Sequence, residues 1–190
     1  MIIGISGKAG SGKDTAAAQI IKINNSFKYA SFAGSLKRKV AYDFDLSKDD
    51  VFTNEGKERK TRYKDTNGWS LTVRDLLQQV GSFYRGINPD YWVERCFKEM
   101  HEDEDYVITD VRYPNEAMKI LESPGGVLIR VDVSPEVQAL RVKNIDRNHL
   151  SETALDDFPR FSARLNGDLP LDAYLEAVTA LYNKIRGLSN

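Results

Sequence analysis

Three glycines and two lysines lie in one short segment near the N-terminus, Gly-Lys-Ala-Gly-Ser-Gly-Lys-Asp-Thr. The segment fits the pattern G-x-x-x-x-G-K and stands between an apolar run and a helical pattern. Glycines let the backbone curl so that N–H groups point at phosphate oxygens, and the following helix adds partial positive charge. We therefore predict a loop that binds a nucleoside triphosphate, with Lys13 at the β- and γ-phosphates. The predicted nucleotide-binding residues of this loop are Gly7, Gly10, Ser11, Gly12, Lys13, Asp14 and Thr15.

The loop departs from the usual pattern at one position. Asp14 stands where a serine or threonine usually follows the lysine, and the hydroxyl comes one residue later at Thr15. Because that hydroxyl normally contacts Mg²⁺, we predict that Thr15 has this role. A Gly-Lys-x-Thr ending also occurs in adenylate and cytidylate kinases, which this segment resembles.

Charged residues elsewhere suit the rest of a phosphoryl-transfer site. Arg74 falls in the first turn of a predicted helix, where a cation is unfavourable unless an anion is near, although an exposed helix face fits equally well. Asp110 and Arg112 follow a predicted strand, at the sheet edge where parallel sheets bind ligands. Asp110 is a candidate for the Mg²⁺ shell and Arg112 for a phosphate, with an internal ion pair as the alternative. Arg141 and Arg147 suit a lid over the phosphates, or a solvated helix face.

A phosphate acceptor would remove the need for a general base. A phosphate monoester has a second pKa of about 6, so it is already an anionic nucleophile at pH 7. Catalysis then rests on positioning and on stabilising charge. The sequence agrees with this, because its two histidines form no cluster with the single cysteine and neither is a clear catalytic candidate.

Strands that alternate with helices must position these groups. Short apolar runs predict strands at residues 2–6, 27–33, 106–109, 127–133 and 160–165. Periodic apolar positions predict helices between them, and Thr72 and Gly81 are expected to begin and end the helix that carries Arg74. The polar stretch 45–68 is expected to be a mobile loop. The alternation predicts an α/β protein with a mostly parallel five-stranded sheet covered by helices on both faces. Together with the phosphate-binding loop, it suits a three-layer α/β/α P-loop kinase fold.

Length and composition restrict the class of protein. The chain has 190 residues, 41% of them hydrophobic, which suits one globular domain. We predict a single domain over residues 1–190, with a flexible acceptor-side insert at 45–72 and a helical lid region at 134–159. The net charge of −1 disfavours stable binding of long nucleic acid. The basic stretch 57–64 nevertheless leaves a kinase of nucleic-acid 5′ ends as an alternative.

Residue usage also indicates a compartment. Cys96 is the single cysteine, so it cannot form an internal disulfide and a reducing environment is expected. The first residues lack a signal-peptide pattern, and no run approaches the ~18 apolar residues of a membrane helix. We therefore expect a cytoplasmic protein without membrane binding.

Several blocks together resemble the bacteriophage deoxynucleoside monophosphate kinases. They run in the family's order across nearly the whole chain, at residues 6–15, 69–81, 90–93, 110–116, 149–152 and 166–169. The resemblance implies a P-loop core with an acceptor-binding region and a lid. It implies transfer of a phosphoryl group from ATP, with Mg²⁺, to a deoxynucleoside 5′-monophosphate, supplying phage DNA synthesis in the host cytoplasm. The family includes dimers, so a homodimer is among the states implied.

The resemblance also implies roles for particular residues. Arg74 and Arg112 would face the acceptor phosphate, and Arg141 and Arg147 would be lid arginines. Asn166 and Gly167 would lie near the adenine of ATP. Trp69 and Trp92 are candidates for the acceptor-base pocket, although both also fit core aromatics. The implied substrate-binding residues are Trp69, Arg74, Asp90, Trp92, Asp110 and Arg112.

Two other functions fit parts of the sequence. A dephospho-coenzyme A kinase or sugar kinase would need an aspartate to accept the proton of a hydroxyl acceptor, and Asp43 or Asp45 has a suitable position. A regulatory module that binds ATP without turnover would keep Lys13 but would not need the arginines to converge.

Overall fold

The computed structural model describes residues 1–142 and 150–187. The chain divides into two compact units. The first comprises Met1–Ala30 and the described residues from Met100 onward, and the second comprises Ser31–Glu99. The second unit therefore encloses the predicted insert at 45–72.

The elements of the described residues alternate between strand and helix over much of the chain. The strands are β1 (Ile2–Gly7), β2 (Phe27–Ala30), β3 (Lys60–Lys64), β4 (Ser70–Thr72), β5 (Asp105–Val111), β6 (Gly126–Asp132) and β7 (Ala163–Asn166). The helices are α1 (Lys13–Ile23), α2 (Phe32–Asp43), α3 (Lys48–Phe52), α4 (Asn54–Lys57), α5 (Val73–Ile87), α6 (Tyr91–Lys98), α7 (Pro114–Glu122), α8 (Pro135–Arg141), α9 (Leu150–Thr153) and α10 (Leu171–Ile185). Within the described ranges, no helix has both the length and the apolar character needed to cross a membrane.

The first unit contains a five-stranded sheet with the order β2-β5-β1-β6-β7. All of its strand pairs are parallel, so the carboxyl ends of the strands meet at one edge. β1 is central and pairs with β5 on one side and β6 on the other. This arrangement places the loop after β1 beside the residues that end β5 and β6.

Helices cover both faces of this sheet. On one face, Ile5 of β1 packs with Ile20 of α1 and Val178 of α10. The next residue toward the N-terminus, Gly4, points to the opposite face because strand side chains alternate. A Cβ at Gly4 would lie 2.5 Å from Ile120 Cδ1, so the absent side chain lets α7 approach the sheet. The predicted three-layer α/β/α fold is confirmed.

The second unit has its own apolar core, formed by helices α2, α3 and α5 and the start of α6. Its buried members include Val40, Val51, Val73, Leu76 and Trp92. Burial of each such side chain contributes roughly 1.5–3 kcal/mol, so this core can hold the surrounding polar segments in place.

The prediction of a mobile loop over residues 45–68 is wrong in its secondary structure. The stretch contains α3, α4 and the strand β3, which pairs antiparallel with β4. Its polar residues act as caps and turns: Ser47 and Asp50 form a reciprocal capping box at the start of α3. Asp65 accepts hydrogen bonds from the backbone N–H groups of Asn67 and Trp69, and closes the hairpin.

Two predicted boundaries also change. The strand expected over residues 27–33 ends at Ala30, because the Ser31 side chain accepts a hydrogen bond from Gly34 N and starts α2. The helix that begins after Thr72 does not end at Gly81 but continues to Ile87. A Cβ at Gly81 would lie 3.1 Å from Leu36 Cδ2, so this glycine serves close packing against α2.

Candidate active site

The loop after β1 has the backbone that phosphate binding needs. Gly7 and Gly12 adopt φ values of +154° and +104°, which side-chain-bearing residues rarely adopt. A Cβ at Gly7 would also lie 2.5 Å from Val131 O of the neighbouring strand. Gly12 precedes α1 without a side-chain cap, so the first N–H groups of this helix are available to an anion. The sequence and the local geometry of the loop therefore agree.

Two side chains inside the loop fit a phosphate ligand. Ser11 is fully buried, and its Oγ has no hydrogen-bond partner among the described residues. A buried hydroxyl without a partner is costly, and a phosphate oxygen would satisfy it. Lys13 is 8% exposed, and its Nζ donates to Lys8 O across the loop at 2.8 Å. This contact holds the ammonium group within the curl of the loop.

The surroundings of Lys13 lower the pKa of its ammonium group from 10.5 to about 8. Burial is the largest cause, and the positive charge of Arg112 acts in the same direction. The carboxylates of Asp14 and Glu152 act in the opposite direction. The loop thus holds a cation that an anionic ligand would stabilise.

Nucleotide binding is expected to weaken as the pH rises above about 8. Below this pKa, Lys13 is protonated with or without ligand, and the affinity should not depend on this group. Above it, binding must take up a proton because the phosphates raise the pKa of Lys13, so the affinity for ATP falls by up to about tenfold per pH unit. Titration of ATP binding between neutral and alkaline pH measures this slope.

The matched variant for this titration is Lys13→Arg, because a guanidinium stays protonated throughout the range. Its affinity for ATP should change much less between neutral and alkaline pH. If the affinity for ATP falls equally steeply with pH in the two proteins, Lys13 does not titrate at the phosphates.

Arg112 lies at the carboxyl edge of the sheet, directly after β5. Its guanidinium forms an ion pair with Glu152, and Nη1 donates to Ser151 O at 3.1 Å. The other carboxylate oxygen of Glu152 accepts a hydrogen bond from Ala9 N of the P-loop at 2.8 Å. Arg112 thus takes part in an ion pair inside the protein, with a glutamate 40 residues away in the sequence. The structure brings the Arg112 and Lys13 charges close enough to influence each other.

Asp110 is the next-to-last residue of β5, two positions before Arg112. Its charge and that of Asp14 both act on the phenol of Tyr29, whose pKa is raised mainly by burial. Tyr29 Oη and Thr109 Oγ1 are 2.7 Å apart. Asp110 and Asp14 therefore each lie close enough to Tyr29 for their charges to act on it.

The described residues contain no group of three or more histidine, cysteine or acidic side chains that could hold a metal by themselves. This fits Mg²⁺, which is usually bound by one or two protein groups together with substrate phosphates and water. Thr15 carries a suitable hydroxyl in the first turn of α1. Thr15 and Asp110 remain the candidates for this role.

A cavity of about 400 Å³ opens beside the P-loop within the first unit. Arg141 closes one side, since its Nη1 donates to Gly10 O at 3.1 Å and to Gly167 O at 2.8 Å. The Tyr174 hydroxyl donates to Gly12 O at 3.0 Å. The cavity is lined by residues 10–15 together with Arg141, Gly167, Leu169, Leu171 and Tyr174. The cavity combines hydrogen-bond donors suited to phosphate with an apolar wall, and a nucleotide requires both.

Of the two residues predicted to lie near the adenine, Asn166 and Gly167, only one lines the cavity. Gly167 lines the cavity, and its N–H donates to Asp132 O at 2.7 Å. Asn166 does not line it, and its side chain accepts a hydrogen bond from Asp168 N. Arg147 lies outside the described residues. The lid prediction thus concerns Arg141 alone in the described part of the chain, and this arginine already contacts the loop.

Arg130 is a buried charged residue that the sequence analysis missed. It lies within β6 and is 6% exposed. Its guanidinium donates to Ser6 Oγ at 3.2 Å and to Asp156 Oδ1 at 2.7 Å, and Asp156 also pairs with Lys8 of the P-loop. An arginine inside the otherwise apolar run Val-Leu-Ile-Arg-Val was the available signal, because a buried cation needs partners.

Arg74 lies in the second unit, in the first turn of α5. Its guanidinium donates twice to Glu58 Oε1, at 2.8 and 2.6 Å, so this carboxylate supplies the anion that its helix position calls for. Burial and the charges of Lys37 and Arg74 lower the pKa of Lys57. Arg74 therefore lies near two lysines and two acids, since its charge also acts on Asp75.

The aromatic candidates of the second unit differ in exposure. Trp69 is 75% exposed, next to the hairpin strand β4. Trp92 is buried, and its indole N–H donates to Gly81 O at 3.1 Å, which agrees with the core alternative. Asp90 precedes α6 at its N-cap position.

Solved structures share this fold over the full length of the chain. The protein TT1252 from Thermus thermophilus gives a TM-score of 0.55 at 17% identity, covering all of this chain and 98% of its own. A shikimate kinase from Aquifex aeolicus gives a TM-score of 0.50 at 17% identity, covering both chains completely. With the loop geometry described above, these likenesses show a P-loop kinase fold. No protein-family model matches the sequence.

A relative with a similar sequence shows the family to which the chain belongs. A protein of Acanthamoeba polyphaga mimivirus named "Putative deoxynucleotide monophosphate kinase" is 32% identical over 149 residues, which cover 70% of this chain and 74% of the relative. The chain belongs to the deoxynucleotide monophosphate kinase family.

Proposed function

We propose that this kinase transfers the γ-phosphoryl group of ATP to a deoxynucleoside 5′-monophosphate. The observation that carries the proposal is the placement of the Arg112 guanidinium near Lys13 at the P-loop. Two neighbouring cations suit a reaction in which two anions, the γ-phosphate and an acceptor phosphate, approach each other. An acceptor phosphate adds negative charge to that of the γ-phosphate, and a second cation offsets it. The name of the mimivirus relative supports the same acceptor class.

The donor half of the proposal uses the cavity of the first unit. The N–H groups of residues 10–15, the Ser11 hydroxyl and Lys13 would bind the phosphates of ATP. The apolar wall around Tyr174 would hold the adenine, with Arg141 and Gly167 beside it. Magnesium, when bound, would neutralise phosphate charge, and Thr15 and Asp110 are the residues proposed to hold it.

The chemical step needs no protein base. An oxygen of the acceptor phosphate forms a bond to the γ-phosphorus of ATP, while the bond from that phosphorus to the β,γ-bridging oxygen breaks. ADP leaves, and the acceptor becomes a deoxynucleoside diphosphate. Lys13 and Arg112 stabilise the charge on the transferring phosphoryl oxygens.

Residues of the second unit are proposed to select the acceptor. Arg74 and its neighbouring lysines would bind the acceptor phosphate, and the exposed Trp69 would stack on the base. Asp90 would contribute a polar contact, and Trp92 would act through the packing of this unit. The deoxynucleoside diphosphate formed would supply DNA synthesis. That the protein comes from a bacteriophage and that it forms a homodimer are predictions from the sequence resemblance.

Replacement of Arg74 with alanine is expected to impair use of the monophosphate rather than use of ATP. Loss of a hydrogen bond to a charged group costs about 1.5–3 kcal/mol, which corresponds to roughly a 10- to 100-fold rise in the KM for the acceptor. Steady-state kinetics with varied deoxynucleoside monophosphate at saturating ATP, and the reverse, measure the two effects separately.

The control is Arg59→Ala, which removes another exposed arginine of the same unit that pairs with Asp50 at 2.7 Å. Its kinetic constants should stay close to those of the unmodified enzyme. Unchanged constants for Arg74→Ala as well would mean that Arg74 serves only its pair with Glu58, and the acceptor assignment would be wrong.

A further inference from the structure

Glu152 is a buried carboxylate whose two oxygens reach different parts of the site. Its side chain is 5% exposed and lies in the short helix α9. Oε2 accepts a hydrogen bond from Ala9 N in the P-loop at 2.8 Å, and Oε1 pairs with Arg112 Nη1. Glu152 therefore connects the loop after β1 with the residue that follows β5.

The contacts of Glu152 leave it poorly suited to act as a general base. Both of its oxygens already accept hydrogen bonds, Oε1 from Arg112 and Oε2 from Ala9 N. The same nitrogen of Arg112 also donates to Ser151 O at 3.1 Å, so the guanidinium is held from two consecutive residues. These contacts therefore hold the long and flexible side chain of Arg112 in one position.

We propose that Glu152 is a positioning residue for phosphoryl transfer, acting through Arg112. It holds the guanidinium beside Lys13 and fixes that position relative to the P-loop through Ala9. The inference rests on the proposed function, because it assumes that Arg112 contacts a phosphate. A displacement of about 1 Å in a catalytic group can cost on the order of 100-fold in rate, so the restraint has a direct catalytic consequence.

The segment that carries Glu152 has a second attachment to the same region. Asp156, four residues later, pairs with Lys8 Nζ at 3.0 Å and with Arg130 Nη2 at 2.7 Å. Removal of the Glu152 charge therefore leaves the segment attached to the P-loop. A variant at this position is expected to fold, which permits a kinetic test.

The decisive variant is Glu152→Gln, which keeps the shape and an oxygen for Ala9 N but removes the charge that binds Arg112. We expect kcat to fall by about 100-fold while the KM for ATP changes little. The effect should vanish in the background of Arg112→Ala, because Glu152 then has no guanidinium to position. The double variant should therefore be no slower than Arg112→Ala alone. Rate losses that multiply in the double variant would overturn the proposal.

A second readout does not depend on which acceptor the enzyme uses. Phenylglyoxal modifies accessible arginines, and peptide mass spectrometry follows the rate at Arg112 in the full-length protein without substrate. The rate should increase in Glu152→Gln and stay unchanged in Asp105→Asn, which breaks an ion pair with the N-terminal amine at the opposite end of β5. An unchanged rate in Glu152→Gln would also overturn the proposal.

The two readouts separate failure of this inference from failure of the proposed function. If the unmodified enzyme ignores deoxynucleoside monophosphates but phosphorylates another acceptor, the proposed function fails. The cycle with Arg112→Ala is then measured with that acceptor, and the modification rate is read as before. Both continue to decide whether Glu152 positions Arg112.

Discussion

Replacement of Lys13 with alanine is expected to reduce kcat by about 100- to 1,000-fold, the usual cost of removing one preorganised charge-stabilising group. The buried ammonium lies within the P-loop, held by Lys8 O at 2.8 Å. The loop would keep its glycine-dependent backbone in the variant but would lose the side chain that we propose to contact the β- and γ-phosphates. Steady-state kinetics with saturating ATP and acceptor measure the loss.

The matched control is Lys8→Ala, which removes a lysine from the same loop. The Lys8 side chain is 35% exposed and pairs with Asp156 at 3.0 Å, whereas the backbone oxygen that binds Lys13 is retained. Exposed ion pairs contribute only about 0–1 kcal/mol, so this variant should stay active and folded. Comparable activity in both variants would contradict the role of Lys13.

Replacement of Arg112 with alanine is expected to have a similar or larger effect, on the order of 1,000-fold in kcat. Arginines that stabilise the transferring phosphoryl group contribute about 10³–10⁵ in rate in other phosphoryl-transfer enzymes. Two measurements are needed, because the variant also leaves the buried Glu152 carboxylate without its partner. Loss of one member of a buried ion pair costs about 3–5 kcal/mol of folding free energy, an upper estimate for the partly exposed Arg112.

Urea unfolding separates this loss of stability from the loss of rate. Arg164→Ala serves as the control, since Arg164 is 55% exposed and pairs with Asp132 on the same sheet. Arg164→Ala should change neither the free energy of unfolding nor kcat appreciably. If Arg112→Ala is less stable but retains normal kcat under conditions where it is folded, then Arg112 supports structure and does not contact a phosphate.

The parts of the fold that local sequence determines could be predicted. The run that becomes β1, the glycine positions of the loop and the start of α1 each follow from residues within a few positions of one another. The exposed hairpin of β3 and β4 was missed because β3, Lys-Thr-Arg-Tyr-Lys, has no buried residue and carries no apolar alternation. Its stability comes from the Asp65 turn, from pairing across the hairpin, and from Tyr63 and Leu71, which pack on the core of the second unit.

The site was predictable where one segment carries the chemistry, and not where distant segments meet. Lys13 and the loop glycines follow from one motif. The pair of Arg112 with Glu152 joins residues 40 apart, and the pair of Arg130 with Asp156 joins residues 26 apart. Spacing in sequence does not predict such pairs, because their members come from segments that are far apart in the chain. The buried position of Arg130 within an apolar strand gave a partial signal.

Turnover with a set of different acceptors is the most direct test of the proposed function. The enzyme is incubated with ATP, Mg²⁺ and, in separate reactions, dAMP, dGMP, dCMP, dTMP and dephospho-coenzyme A, and ADP release and the phosphorylated product are measured. We predict ADP release with formation of the diphosphate for one or more deoxynucleoside monophosphates, and none with dephospho-coenzyme A. Turnover with dephospho-coenzyme A alone, or ATP binding without turnover on any acceptor, would contradict the proposed function.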